Sequence, residues 1–388
     1  MTVEHIRLVI TGGGTGGHLG PAVAVIEALR ALDVTPSPEL LYLGSRGGAE
    51  ARVIPVLGVP YKAITTGKLR RYLSIENLLD AFRVPLGIVQ ALAHLARFRP
   101  HALLATGGYV SVPPVIAAWL LRCPVLLHEQ TGSLGLANRI NARFATKLAL
   151  SVPGSEEGLP PRRSVLTGNP VRSVVRNGSR TRGLQRFQLS SKLPTVYVTG
   201  GAQGAHALNE LVRGSLPRLL RRVQLIHQCG DTGGTNADYE ALTQAVYELP
   251  TELRDRYVLQ RYFEQEIGDV YAVSDLVVGR AGAGTVNELA ILQKPALLIP
   301  LPASAGDEQL HNARRLERTG AAMVLDQDGL TPKHFADEVL ALALDVDRLV
   351  RMRAASPGAT LPDPATHIAR LLLKLAGAHT SGQSTERA

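Results

Sequence analysis

Short apolar runs alternate along this chain with longer stretches that carry an apolar residue every three or four positions. Residues 6–11, 40–43, 102–106, 124–129 and 148–152 are Leu/Val/Ile-rich runs of strand length. Between them, residues 21–32, 76–97, 114–121 and 136–145 have helical spacing. Strands alternating with helices in this way predict a parallel sheet wound with helices.

The rhythm breaks at residues 151–194, a stretch rich in Pro, Gly, Ser and Arg that must be in part connection. It then restarts, with strands expected at 195–199, 224–228, 257–260, 276–279 and 296–300. Helices are expected at 205–213, 285–292, 307–319 and 332–344, and a last apolar helix at 365–375. Both halves open alike. The first strand leads into Gly12-Gly13-Gly14-Thr15-Gly16-Gly17 and the strand at 195–199 into Gly200-Gly201-Ala202-Gln203-Gly204. The pattern predicts an α/β chain of two Rossmann-like domains facing across a cleft. Residues 1–168 form the first and residues 169–358 the second. The helix at about 360–376 packs back on the first domain, and residues 377–388 form a disordered tail.

Composition narrows the chemistry. At 388 residues with 45% hydrophobic content, the chain can bury more than one core. Aromatics make up only 4%, so a ligand would be gripped by backbone and polar groups rather than by stacking. Cys123 and Cys229 lie far apart beside apolar runs and read as buried thiols. The N-terminal residues do not have the form of a signal peptide, and no apolar run reaches membrane-spanning length, so a reducing cytoplasm is expected. A net charge of +9 asks for an acidic partner. Basic-aromatic interleaving is missing, which ranks nucleic acid below phosphorylated substrates and an anionic membrane face.

Glycine turns between a strand and a helix start let backbone N–H groups approach an anion, aided by the helix dipole. The first loop fits a dinucleotide fingerprint, but the second strand ends Leu43-Gly44-Ser45-Arg46 with no acid for a ribose. Arg46 keeps a 2′-phosphate reading open, and plain tight turns are the other alternative. Further on, Arg280-Ala281-Gly282-Ala283-Gly284 precedes a helix carrying Glu288 one turn in. That carboxylate suits vicinal ribose hydroxyls, or it is simply a first-turn acid. Gln309 and Asn312 share a helix face and could read sugar hydroxyls, as could the neighbouring Glu308.

Together these residues resemble the UDP-N-acetylglucosamine:undecaprenyl-pyrophosphoryl-MurNAc-pentapeptide N-acetylglucosaminyltransferase family. The carriers are Gly13-Gly14-Thr15-Gly16-Gly17-His18, Gly107-Gly108-Tyr109-Val110-Ser111, His128-Glu129-Gln130 and Gly168-Asn169-Pro170-Val171-Arg172. To these are added the second and third glycine segments, Glu288 and Gln309-Leu310-His311-Asn312-Ala313.

The resemblance implies a GT-B type glycosyltransferase that transfers N-acetylglucosamine, with inversion, to the MurNAc 4-hydroxyl of a lipid-linked MurNAc-pentapeptide. A UDP-N-acetylglucosamine 2-epimerase, or another UDP-sugar enzyme of the same fold, is the alternative on this architecture. By the resemblance, uracil meets backbone near residues 263–267, including Glu264, and ribose meets Glu288. The diphosphate meets Ala283, Gly284 and Thr285 with Arg172 nearby, and the sugar meets Glu308, Gln309 and Asn312. Thr15, Gly16 and Gly17 face the acceptor, and Thr131 and Ala202 border the substrates. His18 is the implied base, Glu129 its rival, and Tyr109 an acceptor contact.

Metal is not expected. Asp326-Gln327-Asp328 and Asp345-Val346-Asp347 read as solvated acids, with Arg172 and Arg280 offsetting the UDP charge. Thr131, Ala202 and Glu308 depart from the residues usual in the family, which alters polar contacts but not the reaction class. An amphipathic basic stretch from Lys68, Arg70 and Arg71 through Leu73, Ile75, Leu78, Leu79 and Phe82 to Arg83 would dock on the anionic inner membrane surface. An ordinary packed helix with a charged face is the alternative. The expected location is therefore peripheral, on the cytoplasmic face of the cell membrane, with proteins of cell-wall synthesis as further partners.

Overall fold

The computed structural model describes residues 5–14, 16–67, 75–154, 163–230, 236–302, 304, 307–357 and 363–377, with no account of the side chains of 75–82. The chain divides into two compact units, Met1–Arg172 with Leu361–Ala388, and Ser173–Thr360. This division falls after Arg172, four residues beyond the expected residue 168.

The first unit begins with β1 (Arg7–Thr11), α1 (Gly16–Ala31), β2 (Glu39–Ser45), α2 (Glu50–Val56) and β3 (Tyr61–Ile64). It continues through α3 (Ile75–Phe98), β4 (Ala102–Ala105), a 3-10 turn at Tyr109–Ser111 and α4 (Val112–Leu120). It closes with β5 (Val125–Glu129), α5 (Leu136–Asn141), β6 (Lys147–Leu150) and β7 (Ser164–Leu166). Its sheet runs β3-β2-β1-β4-β5-β6-β7, every pairing parallel.

The second unit starts with α6 (Ser173–Arg176), α7 (Arg180–Arg186), β8 (Thr195–Thr199), α8 (His206–Leu219) and β9 (Gln224–Gln228). Then come α9 (Ala237–Tyr247), α10 (Thr251–Arg254), β10 (Tyr257–Gln260), α11 (Ile267–Val273), β11 (Leu276–Gly279) and α12 (Ala283–Ile291). β12 (Ala296–Leu298), α13 (Glu308–Arg318), β13 (Ala322–Val324), α14 (Pro332–Ala343) and α15 (Val346–Ala354) complete it. Its parallel sheet runs β10-β9-β8-β11-β12-β13. The last helix, α16 (Pro364–Leu375), belongs to the first unit. It buries Ile368, Ala369, Leu372 and Leu373 in the same core as Leu8, Ile10 and Ile26.

The central strands are buried on both faces, which is why they read as unbroken apolar runs: LVIT in β1, TVYVT in β8 and LVVG in β11. Strand order reverses between β1 and β4 in one sheet and between β8 and β11 in the other. At such switch points the loops beyond the strand C-termini part, leaving a crevice for ligand. Both glycine loops, after β1 and after β8, stand at these points. The tail called from residue 377 falls, after Gly377, outside the described residues.

Candidate active-site halves

In the first unit the C-terminal ends of β1, β4 and β5 converge on His18. Its Nδ1 lies 3.1 Å from the Thr106 carbonyl oxygen and 3.0 Å from the Gln130 side-chain amide. A carbonyl only accepts, so Nδ1 carries the proton, and the neutral ring keeps its lone pair on Nε2. The atom of Gln130 placed against Nδ1 is the amide nitrogen Nε2, itself a donor, so the amide must turn its oxygen to Nδ1 to accept from that N–H. Thr106 Oγ1 in turn donates to the His18 carbonyl at 2.8 Å. Burial pushes the imidazole below its ordinary value, opposed in part by the Glu129 charge and the Thr106 carbonyl. His18 is therefore neutral at pH 7 and suited to accept a proton.

Close backbone approach is what makes this possible. Gly108 has φ +80°, and a side chain there would strike the Gly13 carbonyl and the His18 ring. Tyr109 lies against the loop as well, since a methyl on Gly14 would come within 2.5 Å of its ring.

Glu129 is buried and heavily used. Its carboxylate accepts from the Thr131 N–H at 3.0 Å, the Thr131 hydroxyl at 2.7 Å, the Gly135 N–H at 3.3 Å and Asn138 Nδ2 at 2.9 Å. These contacts make Glu129 a brace for residues 131–135. Gly16, Gly17, His18, Tyr109, Glu129 and Thr131 are thus gathered in one place. Thr15 lies outside the described residues. Arg172 is the last residue of the first unit and partly exposed.

In the second unit Ala283, Gly284, Thr285 and Glu288 open α12, whose Gly282 N-cap offers no side-chain hydrogen bond. A methyl built on Gly282 or Gly284 would meet nothing within 4 Å. The helix start is thus open and its N-cap brings no side chain onto the first N–H groups, the form of an anion seat. Glu288 accepts from the Tyr271 hydroxyl at 2.8 Å, and Tyr271 sits edge-on to Tyr197 at 5.5 Å. The carboxylate is oriented by the core while it stays half-exposed.

On α13, Gln309 Oε1 accepts from the Leu301 N–H at 3.0 Å, and Asn312 Nδ2 donates to the Ala281 carbonyl at 3.3 Å. These amides tie α13 to the loops after β12 and β11, so part of their hydrogen-bonding capacity is spent within the protein. Glu308 is exposed at the first turn, and Ala202 and Glu264 are also exposed. The Phe263 N–H donates to Gln228 Oε1 at 3.1 Å, which leaves any backbone contact with a base to the rest of 263–267.

Arg280 needs correction as a diphosphate partner. Its guanidinium is buried and donates to the carbonyls of Ile299 at 3.0 Å and Pro300 at 3.1 Å, and to Gln327. It braces β11 against β12. Asp345 is also more than a solvated acid: it caps α15, accepting from the Arg348 N–H at 2.9 Å.

Sequence reasoning missed Glu50, Thr106, Gln130 as a contact, Asn138 and Tyr271. Glu50 carried a signal, a lone acid opening the helix Glu-Ala-Arg-Val-Ile-Pro-Val, otherwise apolar but for Arg52, just beyond Gly47-Gly48. Of the basic amphipathic stretch, residues 68–74 and the side chains of 75–82 lie outside the described residues, and Arg83 is exposed on α3.

Comparison with known proteins follows the same division. The glycosyltransferase family 28 N-terminal domain matches residues 8–150, and the family 28 C-terminal domain matches residues 195–368. A Bacillus cereus protein named UDP-N-acetylglucosamine–N-acetylmuramyl-(pentapeptide) pyrophosphoryl-undecaprenol N-acetylglucosamine transferase 2 is 39% identical over 86% of this chain and 90% of its own length. A Salinibacter ruber transferase of the same name, without the numeral, is 36% identical over 97% of this chain and 98% of its own. Among solved structures, Acinetobacter baumannii MurG superposes with a TM-score of 0.70 at 26% identity, covering 95% of this chain and 99% of that one. A Neisseria meningitidis UDP-GlcNAc 2-epimerase bound to UDP-GlcNAc superposes at 0.64 with 11% identity over 95% of this chain and 99% of its own, a likeness of fold alone.

Proposed function

This chain belongs to glycosyltransferase family 28, and from that premise we infer that it transfers N-acetylglucosamine from UDP-N-acetylglucosamine to undecaprenyl-pyrophosphoryl-MurNAc-pentapeptide, the step from lipid I to lipid II in peptidoglycan synthesis. It is a hexosyltransferase of the two-domain GT-B fold.

The chemistry we propose is a single inverting displacement. The MurNAc 4-hydroxyl oxygen attacks C1 of the sugar, its proton passes to His18 Nε2, and the C1–O bond to UDP breaks with the electron pair leaving on the diphosphate. One observation carries this reading: His18 is neutral and held by Nδ1, leaving Nε2 as the acceptor. The leaving diphosphate is taken by the uncapped start of α12, where N–H groups and the helix dipole meet developing negative charge. Ribose is taken by Glu288, already aimed by Tyr271. Glu308, Gln309 and Asn312 serve the sugar from α13, and Tyr109 and Thr131 serve the acceptor. No metal takes part in this scheme.

The chain acts peripherally at the cytoplasmic face of an anionic membrane. Among the described residues no helix is long and apolar enough to cross one. Supporting a docking face, α3 exposes Leu86 and Val89, and α4 ends in exposed Trp119 and Leu120 followed by exposed Leu121 and Arg122. Charge reversal of Arg70, Arg71 and Arg83 should release the protein from anionic vesicles, and unchanged co-sedimentation would reject the basic stretch as the anchor.

The deciding experiment incubates the protein with UDP-N-acetylglucosamine and a short-chain lipid-linked MurNAc-pentapeptide, with and without EDTA, and reads products by mass spectrometry. A disaccharide product that survives EDTA is expected. Formation of UDP-ManNAc from donor alone would overturn the reading in favour of an epimerase.

A further inference from the structure

Strands β10, β9 and β8 are parallel neighbours, so the loops that follow them leave the same edge of the sheet. One side chain joins the outer two of those loops. Gln228, the last residue of β9, is paired in register with Thr199, the last of β8, and both are buried. Gln228 Oε1 accepts from the Phe263 N–H at 3.1 Å, and its Nε2 donates to Thr199 Oγ1 at 3.3 Å. A backbone N–H can only donate, which fixes the amide with its oxygen toward Phe263 and its nitrogen toward Thr199. Thr199 Oγ1 also accepts from the Gly201 N–H at 3.0 Å. The Thr199 hydroxyl hydrogen is turned to the Tyr197 phenol oxygen, and that phenol donates to Gln228 Oε1 at 3.4 Å. The three side chains close a hydrogen-bonded ring.

Aromatic packing carries the ring outward. Tyr197 sits edge-on to Phe263 at 6.3 Å and to Tyr271 at 5.5 Å, and Tyr271 donates to Glu288. Phe263 is itself buried, edge-on to Phe187 at 5.7 Å. Gly201 lies in the glycine loop after β8, and Phe263 begins residues 263–267, the backbone expected to meet the base. Gln228 therefore spaces that backbone from the glycine loop, and it adjoins the carboxylate expected on the ribose through two rings. A buried amide that serves three groups at once has no slack. Replacing it moves one of the loops or leaves a buried polar group without a partner.

We propose that Gln228 is a positioning residue for the nucleotide and sets its base specificity. Buried as it is, it acts through Phe263, holding the backbone that follows against the N3–O4 edge of uracil. Cytosine presents donor and acceptor on that edge in the reverse order, so a backbone held in one place takes uracil and rejects cytosine. The inference rests on the reading of the second unit as the donor side.

The test compares UDP with CDP by calorimetry, because the two share a ribose and a diphosphate and differ only in the base. Donor KM and kcat are measured alongside, on full-length wild type, Gln228→Met, Gln228→Asn and Gln228→Glu. Wild type should bind UDP more tightly than CDP. Gln228→Met keeps length and bulk but removes both hydrogen-bonding ends. Its UDP dissociation constant and donor KM should rise about 10- to 100-fold, with CDP little changed, so that the preference collapses while kcat at saturating donor holds. Gln228→Glu keeps an acceptor for the Phe263 N–H, so it should retain the preference even where its charge weakens both nucleotides alike. If Gln228→Met does not fold, Gln228→Asn, polar but too short to span both partners, carries the test with the same expected loss of preference.

A preference unchanged in the Met or Asn variant, or lost equally in the Glu variant, overturns the proposal. So does a wild type without preference, or a fall in kcat with UDP binding intact. A wild type that binds UDP but forms no disaccharide overturns the function itself, and the binding comparison among the Gln228 variants keeps that failure distinct.

Discussion

Two of the three glycine segments of this protein start from the same local logic and end with their backbone N–H groups in different surroundings. After β1, the loop is packed from behind: Tyr42 holds Gly12, Glu50 holds Gly14, and the Gly13 N–H donates to the Gly107 carbonyl at 3.3 Å. After β11, Gly282 and Gly284 have open space where a side chain would sit, and the glycine N-cap brings no side chain onto the helix start. A strand, glycines and a helix start therefore do not by themselves make a phosphate site. What stands behind the glycines decides whether the N–H groups are spent within the protein or offered outward.

The contrast breaks first at His18. His18→Ala removes the proposed base from the first unit and should lower kcat by about 100- to 10,000-fold, with UDP affinity by calorimetry unchanged because the proposed donor contacts belong to the second unit. A matching loss of UDP binding would show that the two loops do not divide the labour this way.

Glu288→Ala tests the other side. Loss of hydrogen bonds to a charged group costs about 1.5–3 kcal/mol, so UDP should bind about 10- to 150-fold more weakly. Equal binding would remove Glu288 from the donor site.

A pair of methyl scans sharpens the comparison at the loops themselves. Gly13→Ala drives a methyl into Glu50 at a backbone with φ +142°, and should cost about 1–3 kcal/mol in thermal or denaturant unfolding. Gly284→Ala, in open space on a helix, should add about 0.5–1 kcal/mol of stability while raising the donor KM. If the two substitutions behave alike, the packed-versus-open distinction fails.

The smallest effects come with pH. The imidazole of His18 is held below 6.5, so its base form persists on acidification and kcat should stay flat down to about pH 6.5, falling only below it. Stability should not discriminate between the units. His128 in the first is pushed down to about 4 and His227 in the second to about 3, both by burial. From 6.5 downward the unfolded chain takes up those protons and the folded chain does not, so each unit's stability is full above 6.5 and drains as pH falls through that window. A kcat limb well above pH 6.5 would point to another group as the base.

Much of this was legible in the sequence, and unevenly so. The central strands β1, β4, β5, β8 and β11 are buried on both faces, so their apolar runs stand out. The strands that escaped reading, β3, β7 and β13, all lie at sheet edges, where one face or more meets solvent and the runs are three or four residues long. Within the candidate site, residues with a fixed place in a motif, such as His18 and Glu288, could be singled out from the sequence. Glu50, Thr106 and Tyr271 were not, because their partners lie 36, 88 and 17 residues away along the chain.

The sequence by itself determined two strand–glycine–helix halves, the parallel sheet in each and the kind of transfer they serve, since these follow from local periodicity and from short motifs in fixed order. Only the tertiary structure decided which charges are available. It spent Arg280 on the carbonyls of Ile299 and Pro300, saturated Glu129 with four donors, tied His18 by Nδ1 and set Glu50 behind the first loop. A residue's chemistry depends on what it is already bonded to once water is excluded, and those partners are brought together only when the sheet has formed.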